Sequence, residues 1–171
     1  MDDLSPLLYQ DEGANGGIPV RHLSIYDSFI SDYYDCQINI QDAHAQLGIA
    51  CLEMMVEQLY FKICKIEDSR LTNAVTKNLP DRIKVNSSDA LQYSSFYWSN
   101  HISLSPDTHN QHILGSLKKF FEGAHPLFWV EILSLLVIVL IGVPSLRRVI
   151  SWVKVSTNPC LVCTQRRFRL M

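Results

Sequence analysis

The side chains that could carry chemistry in this chain are a few histidines, cysteines and hydroxyl groups. His109 and His112 stand three residues apart, and Cys160 and Cys163 form one C-x-x-C pair, which is half of a zinc-binding spacing. A structural zinc site needs four ligands, and no second pair stands at a usual distance from the first. The sequence therefore predicts no bound metal, and it favours a polar helix start and an irregular tail for these two pairs.

His22, Ser24 and Asp27 carry the functional groups of a Ser–His–Asp hydrolase. A capping box explains two of them without catalysis: Ser24 can accept a hydrogen bond in the first helical turn, and Asp27, three residues later, can reach back to it. The chain also lacks a G-x-S-x-G nucleophile elbow. We therefore predict that Ser24 and Asp27 cap a helix, that there are no catalytic residues, and that the chain is not an enzyme.

Glycine-rich phosphate loops are also missing from the sequence. The chain has seven glycines, and none of them lies in a G-x-x-x-x-G-K-[ST] pattern. The sequence therefore predicts no nucleotide site of that type and no cofactor.

Acidic and basic residues are segregated along the chain, although the formal net charge is only −2. Between Asp2 and Asp35 the acidic residues face a single basic residue, Arg21. After Ser145 the charged residues are all basic: Arg147, Arg148, Lys154, Arg166, Arg167 and Arg169. Because these charges are few and do not alternate with aromatic residues, they favour solvation or proximity to a membrane, and nucleic acid is not an expected partner.

The cysteines and the N-terminus predict a cytoplasmic protein. The number of cysteines is odd, and Cys51 and Cys64 fall in a predicted helix, where a free cysteine behaves as a small apolar residue. The chain opens with acidic residues where a secretory signal needs basic ones. A reducing compartment is therefore expected.

The central prediction is a long amphipathic helix over Ala43–Lys65, capped by Asp42, against which the rest of the chain is expected to pack. Its apolar residues recur every three or four positions: Ala45, Ile49, Leu52, Val56, Leu59 and Ile63. Gln46, Glu53 and Glu57 are expected to point away from this stripe.

The remaining pattern predicts a mainly α-helical fold with a small β element near the start. A strand over Val20–Leu23 is expected to lead into the capped helix. Further on, Trp98, Phe121 and Trp129 are expected to serve the core or an interaction, as are the apolar residues of the central helix. Four more helices are expected after the central one, over Ala90–Ile102, Gln111–Glu122, Leu127–Ile141 and Leu146–Lys154. The predicted domains are residues 1–41 with a flexible glycine-rich turn, a helical arm over 42–155, and a disordered basic tail over 156–171.

The apolar run Leu127–Val143 has two interpretations from its residues alone. Flanking tryptophans and the basic cluster after Ser145 favour a single membrane span near 127–145 with a cytoplasmic C-terminus. A helix over this run is only about 25 Å long, short of a membrane core of about 30 Å. It also contains Glu131, which is costly inside a membrane. In both interpretations Val137 is expected to be out of contact with water.

Four blocks of the sequence, taken in order, resemble one protein family: Val20–Asp32, Leu47–Ser69, Ala90–His101 and Leu114–Trp152. The family is the NACHT-type signal-transducing (STAND) NTPases of mushroom-forming fungi, relatives of heterokaryon-incompatibility proteins that often end in WD repeats. The resemblance covers nearly all of the chain from Leu4 to Val155. Three patterns stand at the family's spacing: His22…Ser24…Asp27-Ser28-Phe29, Cys51-Leu52, and Tyr93…Tyr97-Trp98…His101.

This resemblance implies a position in a larger protein. The matching region follows the NTPase module, and it comprises the end of a winged-helix-like domain and then a helical arm of four to five helices that leads to the repeats. Nucleotide-binding residues lie upstream in that family, so none is carried over. The implied function is a non-catalytic interaction and regulatory segment, whose partner is an NTPase module or a repeat domain. The tail from Ser156 departs from the family's helical continuation, which implies a fragment or a truncated relative. The resemblance also favours a buried helix over a membrane span for residues 127–145.

The purified chain should neither bind nor hydrolyse ATP or GTP, because it lacks a loop that could hold the phosphates. Isothermal titration calorimetry with each nucleotide is the measurement. Micromolar affinity for either one would contradict this prediction.

Overall fold

A computed structural model describes residues 38–66 and 72–157. This part of the chain holds six α-helices: α1 (Ile40–Gln58), α2 (Leu79–Asn86), α3 (Asp89–Leu104), α4 (Asn110–Glu122), α5 (His125–Leu135) and α6 (Gly142–Thr157). Short 3-10 helices lie at Asn73–Val75, Asp107–His109 and Val139–Ile141. The described residues contain no strand, so the mainly α-helical prediction is confirmed for them.

Several predictions fall outside the described residues. These are the strand Val20–Leu23, the capping pair Ser24 and Asp27, and residues 158–171 of the predicted tail. Its first two residues, Ser156 and Thr157, belong to α6, contrary to the prediction of disorder. The chain divides by its contacts into two units, Met1–Ala43 and His44–Met171. Helix α1 begins in the first unit and the other described helices belong to the second; the predicted domain boundary at residue 42 stays a prediction.

Helix α1 begins and ends at other residues than predicted. Its cap is Asn39, whose Oδ1 accepts hydrogen bonds from the backbone N–H groups of Gln41 (3.0 Å) and Asp42 (3.3 Å). Asp42 lies within the first turn, where a carboxylate favours the helix dipole. The helix ends at Gln58, not Lys65, because the next segment turns: Lys62 adopts a φ of 56°, which a right-handed helix excludes.

The buried face of α1 is rotated relative to the predicted stripe. Ala45 and Leu52 are fully buried, but Ile49 and Val56 are only half-buried, while Gly48, Cys51 and Met55 lie inside. Gly48 allows a close approach of α3, since a Cβ atom there would lie 3.1 Å from Cγ1 of Ile102. The exposed positions predicted for the opposite face are confirmed: Gln46, Glu53 and Glu57.

Helix α3, rather than α1, is the element that the other helices surround. Its Trp98 is fully buried and contacts Phe120 of α4 and Trp129 of α5, with ring centroids 5.6 Å and 5.5 Å away. The indole N–H of Trp129 donates to the backbone oxygen of Ser95 (2.8 Å). A Ser88 cap begins α3 by accepting from the N–H of Leu91 (3.1 Å).

Small serine side chains let neighbouring helices approach α3 from different sides. Ser94 forms a hydrogen bond with Cys51 of α1, and Ser99 accepts one from Nη1 of Arg148 in α6 (3.0 Å). Seven of the 16 residues of α3 are buried.

Phe121, predicted as a core or interaction residue, does not lie in the core. Phe121 is 45% exposed, and its neighbour Phe120 is fully buried instead. Ile113, Leu117 and Phe120 follow one another at four and three residues along one face of α4, so the next residue is rotated about 100° away.

The predicted helix Leu127–Ile141 is broken in its middle. Helix α5 ends at Leu135, where the N–H of Val137 donates to the oxygen of Ser134 (3.1 Å) and the N–H of Ile138 donates to that of Leu133 (2.9 Å). This is the hydrogen-bond pattern of a Schellman motif, with Val137 in the left-handed position at a φ of 60°. Val137 is 81% exposed, so the expectation that it is out of contact with water is wrong. No helix among the described residues is long and apolar enough to cross a membrane.

Val137→Gly should raise the free energy of unfolding by about 1 kcal/mol, because a β-branched residue in the left-handed region costs about 1–3 kcal/mol and glycine carries no such cost. Urea unfolding is the measurement. The control is Val130→Gly in the middle of α5, which should lower stability by about 0.5–1 kcal/mol, as glycine does within a helix. Equal destabilisation by both changes would contradict the left-handed geometry.

Candidate functional site

A cluster of histidine and tyrosine side chains lies where α1 meets α3. Nδ1 of His44 in α1 is 2.9 Å from Nδ1 of His101 in α3, and Nε2 of His101 is 2.7 Å from the hydroxyl oxygen of Tyr93. Tyr97 packs against Tyr93 with a centroid distance of 4.8 Å and the ring planes tilted by 38°. We call these four residues the His–Tyr cluster.

Helix periodicity and one glycine together build this cluster. Tyr93, Tyr97 and His101 are spaced four residues apart, so they share one face of α3. The close approach at Gly48 brings His44, one turn earlier in α1, within reach of His101. As a result, His101 is buried and the two tyrosines, which are 41% and 40% exposed, remain accessible.

The two hydrogen bonds of His101 depend on each other. The Nδ1···Nδ1 contact requires one imidazole to carry its proton on Nδ1 and the other to accept there. When His44 donates, His101 carries its proton on Nε2 and donates to the Tyr93 oxygen; in the opposite arrangement Tyr93 donates to His101. The cluster can also hold one extra proton on His101, which then donates on both sides. Protonation of both imidazoles leaves no acceptor between them.

Burial lowers the pKa of His101 below its ordinary value, and the nearby His44 lowers it further. Burial also raises the pKa of Tyr93, with smaller contributions in the same direction from Cys51 and Tyr97. The cluster therefore favours a neutral imidazole and a neutral phenol.

Cys51 lies beside the cluster, and its thiol is suited to packing rather than to nucleophilic attack. Burial raises the pKa of this thiol, and the hydrogen bond to Ser94 opposes the shift only in part. A reactive cysteine needs a lowered pKa so that the thiolate is present near neutral pH. Cys51 is therefore a small core residue.

The cleft between α1 and α4 is small for a ligand pocket. A cleft of about 210 Å³ between α1 and α4 is lined by Leu52, Glu53, Val56, Glu57, Ser116 and Lys119. Ligand pockets usually measure about 300–1,000 Å³. Within residues 38–66 and 72–157, no three His, Cys, Asp or Glu side chains are placed to hold a metal ion.

An aromatic surface extends outward from the His–Tyr cluster. Tyr97 contacts both Tyr93 and Phe96, the latter with ring centroids 4.5 Å apart. We define the aromatic surface by these three residues. Aromatic rings that pack against one another on a helix form an ordered surface with apolar faces and hydroxyl groups, which is suited to recognising another molecule.

The residues singled out from the sequence lie elsewhere. Leu52, Leu59, Ile63, Trp98 and Trp129 are buried, whereas Ile49 and Val56 are half-buried and Phe121 is exposed. Three residues of the His–Tyr cluster, Tyr93, Tyr97 and His101, stand out in the sequence through the family pattern. Their four-residue spacing could have shown that they share a face, but nothing in the sequence pairs His44 with them.

Comparison with known proteins adds no relative to this description. No family model matches the chain, and no curated protein and no solved structure is significantly similar to it.

The stability of the protein should fall as the pH drops below about 6.5, the ordinary histidine value. Because the pKa of His101 is lowered in the folded protein, the unfolded chain binds more protons in this range, and protonation favours unfolding. The ionisable groups in contact with His101 are His44 from α1 and Tyr93 from α3, and Tyr93 in turn lies near Cys51 and Tyr97. The measurement is urea unfolding between pH 7.5 and pH 5.

His101→Gln should flatten this pH dependence, since glutamine does not titrate. The matched control is His112→Gln on the exposed face of α4, which should leave the dependence unchanged. The explanation fails if the two variants respond alike to pH.

Proposed function

We propose that this chain is a non-catalytic interaction and regulatory module, equivalent to the helical region that follows the NTPase module in fungal NACHT-type proteins. Its partner on this proposal is a protein, either an NTPase module or a repeat domain of the same or a related chain. Residues 1–41 would form the end of the winged-helix-like domain, and α1 to α6 the helical arm. A cytoplasmic location belongs to the same proposal.

The observation that carries this proposal is the aromatic surface of α3. Tyrosine and other aromatic residues are enriched in protein interfaces and in the few residues that supply most of the binding energy. Here Tyr93 and Tyr97 are accessible, and their rings are already fixed against each other. A surface that is ordered before binding loses less side-chain entropy when a partner covers it.

The hydrogen bond between Tyr93 and His101 links this surface to the packing of α1, because His101 also contacts His44 of α1. Helix α3, which carries Tyr93 and His101, also carries Trp98, which contacts α4 and α5 in the core. A shift of α1 or α5 against α3 would therefore alter the position of the aromatic rings. Such a coupling between helix packing and an exposed surface supports a regulatory role, because movements of packed helices are a common switching mechanism.

Binding of the full chain to a separately purified NTPase module and repeat domain of a fungal NACHT protein tests the proposal. Biolayer interferometry should detect binding to one of the two. Tyr97→Ala should weaken it at least about thirtyfold, which corresponds to about 2 kcal/mol for an interface residue of this importance.

The control is Tyr60→Ala, a tyrosine of similar exposure, 47%, which lies in the turn after α1. Its binding should match that of the unmodified chain. Absence of binding to both domains, or an equal loss with both tyrosine variants, would refute the proposal.

A further inference from the structure

The turn between α5 and α6 exposes aliphatic side chains to solvent. Leu140 is 87% exposed and Val137 is 81% exposed, and Val139 and Val143 also point outward. We call these four residues the apolar turn. Residues 132–146 contain no charged side chain, so no acidic or basic group interrupts this surface along the chain.

Helix α6 continues the apolar turn with a basic outer face. Val143, Arg147, Ile150 and Lys154 follow one another at four, three and four residues, and all four are exposed. Helix α6 has no acidic residue. Its other arginine, Arg148, is half-buried and donates to Ser99, so it does not belong to this face.

The backbone of the apolar turn is largely satisfied internally. Beyond the two hydrogen bonds that end α5, the N–H of Ile141 donates to the oxygen of Ile138 (3.0 Å), and that of Gly142 donates to Val139. Unpaired backbone groups are the main cost of moving a turn out of water into an apolar environment. The internal pairing of these four N–H groups therefore lowers the free-energy cost of moving the turn out of water.

We propose that the apolar turn inserts into the surface layer of a membrane that contains anionic lipid, while Arg147 and Lys154 contact the headgroups. A helix does not cross the bilayer in this arrangement; the turn enters the boundary between headgroups and acyl chains, as amphipathic membrane-surface elements do. Basic side chains next to inserted apolar residues add attraction to anionic lipids.

The composition of the apolar turn favours lipid over a protein partner. The residues that dominate protein interfaces are tryptophan, tyrosine and arginine, whereas leucine and valine are under-represented among them. The apolar turn consists only of leucine and valine. Acyl chains need no directional contact, so aliphatic side chains suffice. This inference rests on α5 and α6 and does not depend on the aromatic surface of α3.

Co-sedimentation of the full chain with vesicles tests the proposal. One set of vesicles contains phosphatidylcholine alone, and the other contains phosphatidylcholine with 30% phosphatidylserine. The chain should bind the anionic vesicles more tightly, and higher salt should weaken this binding. Leu140→Ser should lower the partition constant about tenfold, and Arg147→Gln about fivefold.

Two exposed neighbours in α2 provide matched controls. Val85 is 81% exposed and Lys84 precedes it on the surface, so Val85→Ser and Lys84→Gln remove an exposed aliphatic side chain and an exposed positive charge at another site. Both controls should bind vesicles as the unmodified chain does. All four substitutions are at exposed positions, and urea unfolding will verify that each variant is folded.

Three results would overturn the proposal. The first is absence of binding to anionic vesicles. The second is unchanged binding of Leu140→Ser, which would assign binding to another part of the chain, such as the basic residues after Thr157. The third is a dimer in analytical ultracentrifugation that Leu140→Ser dissociates while vesicle binding is absent, which would make the apolar turn a contact between two copies.

Discussion

The contact between Trp98 and Trp129 is the interaction on which the other helices depend. The two rings meet edge-to-face at 88°, and the Trp129 indole N–H donates to the backbone of Ser95 one turn away. This hydrogen bond fixes α5 in position along α3, because it joins a side chain to a backbone atom that cannot move independently of the helix. Phe120 completes the contact from α4. Three helices therefore share one aromatic core.

The serines and the glycine around this aromatic core determine how closely the remaining helices approach. Large side chains at Ser94 and Ser99 would push α1 and α6 away from α3, and a side chain at Gly48 would meet Ile102. The short distance between α1 and α3 is also what brings His44 to His101. The geometry of the His–Tyr cluster is thus a consequence of how closely the helices pack. Helix α3 contributes both to this polar cluster and to the aromatic core.

The sequence predicted the helical class and most of the helices, but it misplaced what depends on three-dimensional contacts. Apolar periodicity is local, so it located α3, α4 and α6 to within a few residues. Apolar periodicity predicted deeper burial for Ile49 and Val56 than for Gly48 and Cys51. Hydrophobicity indicates a preference for burial, but it does not indicate how closely another helix can approach. The left-handed Val137 was unpredictable for the same kind of reason, since glycine is the usual residue there. The pairing of His44 with His101 joins two helices and has no local signature.

The turn at Val137 also bears on how the chain folds. The segment from Leu135 to Ile141 is a run of seven uncharged aliphatic residues, a composition typical of segments that form intermolecular β-structure when unfolded. The hydrogen bonds that divide this run connect residues at most five positions apart. Contacts at such short separation form quickly, because little chain entropy is lost in closing them. An early turn would interrupt the run before distant helices arrive, which limits the time during which newly made chains can aggregate through it.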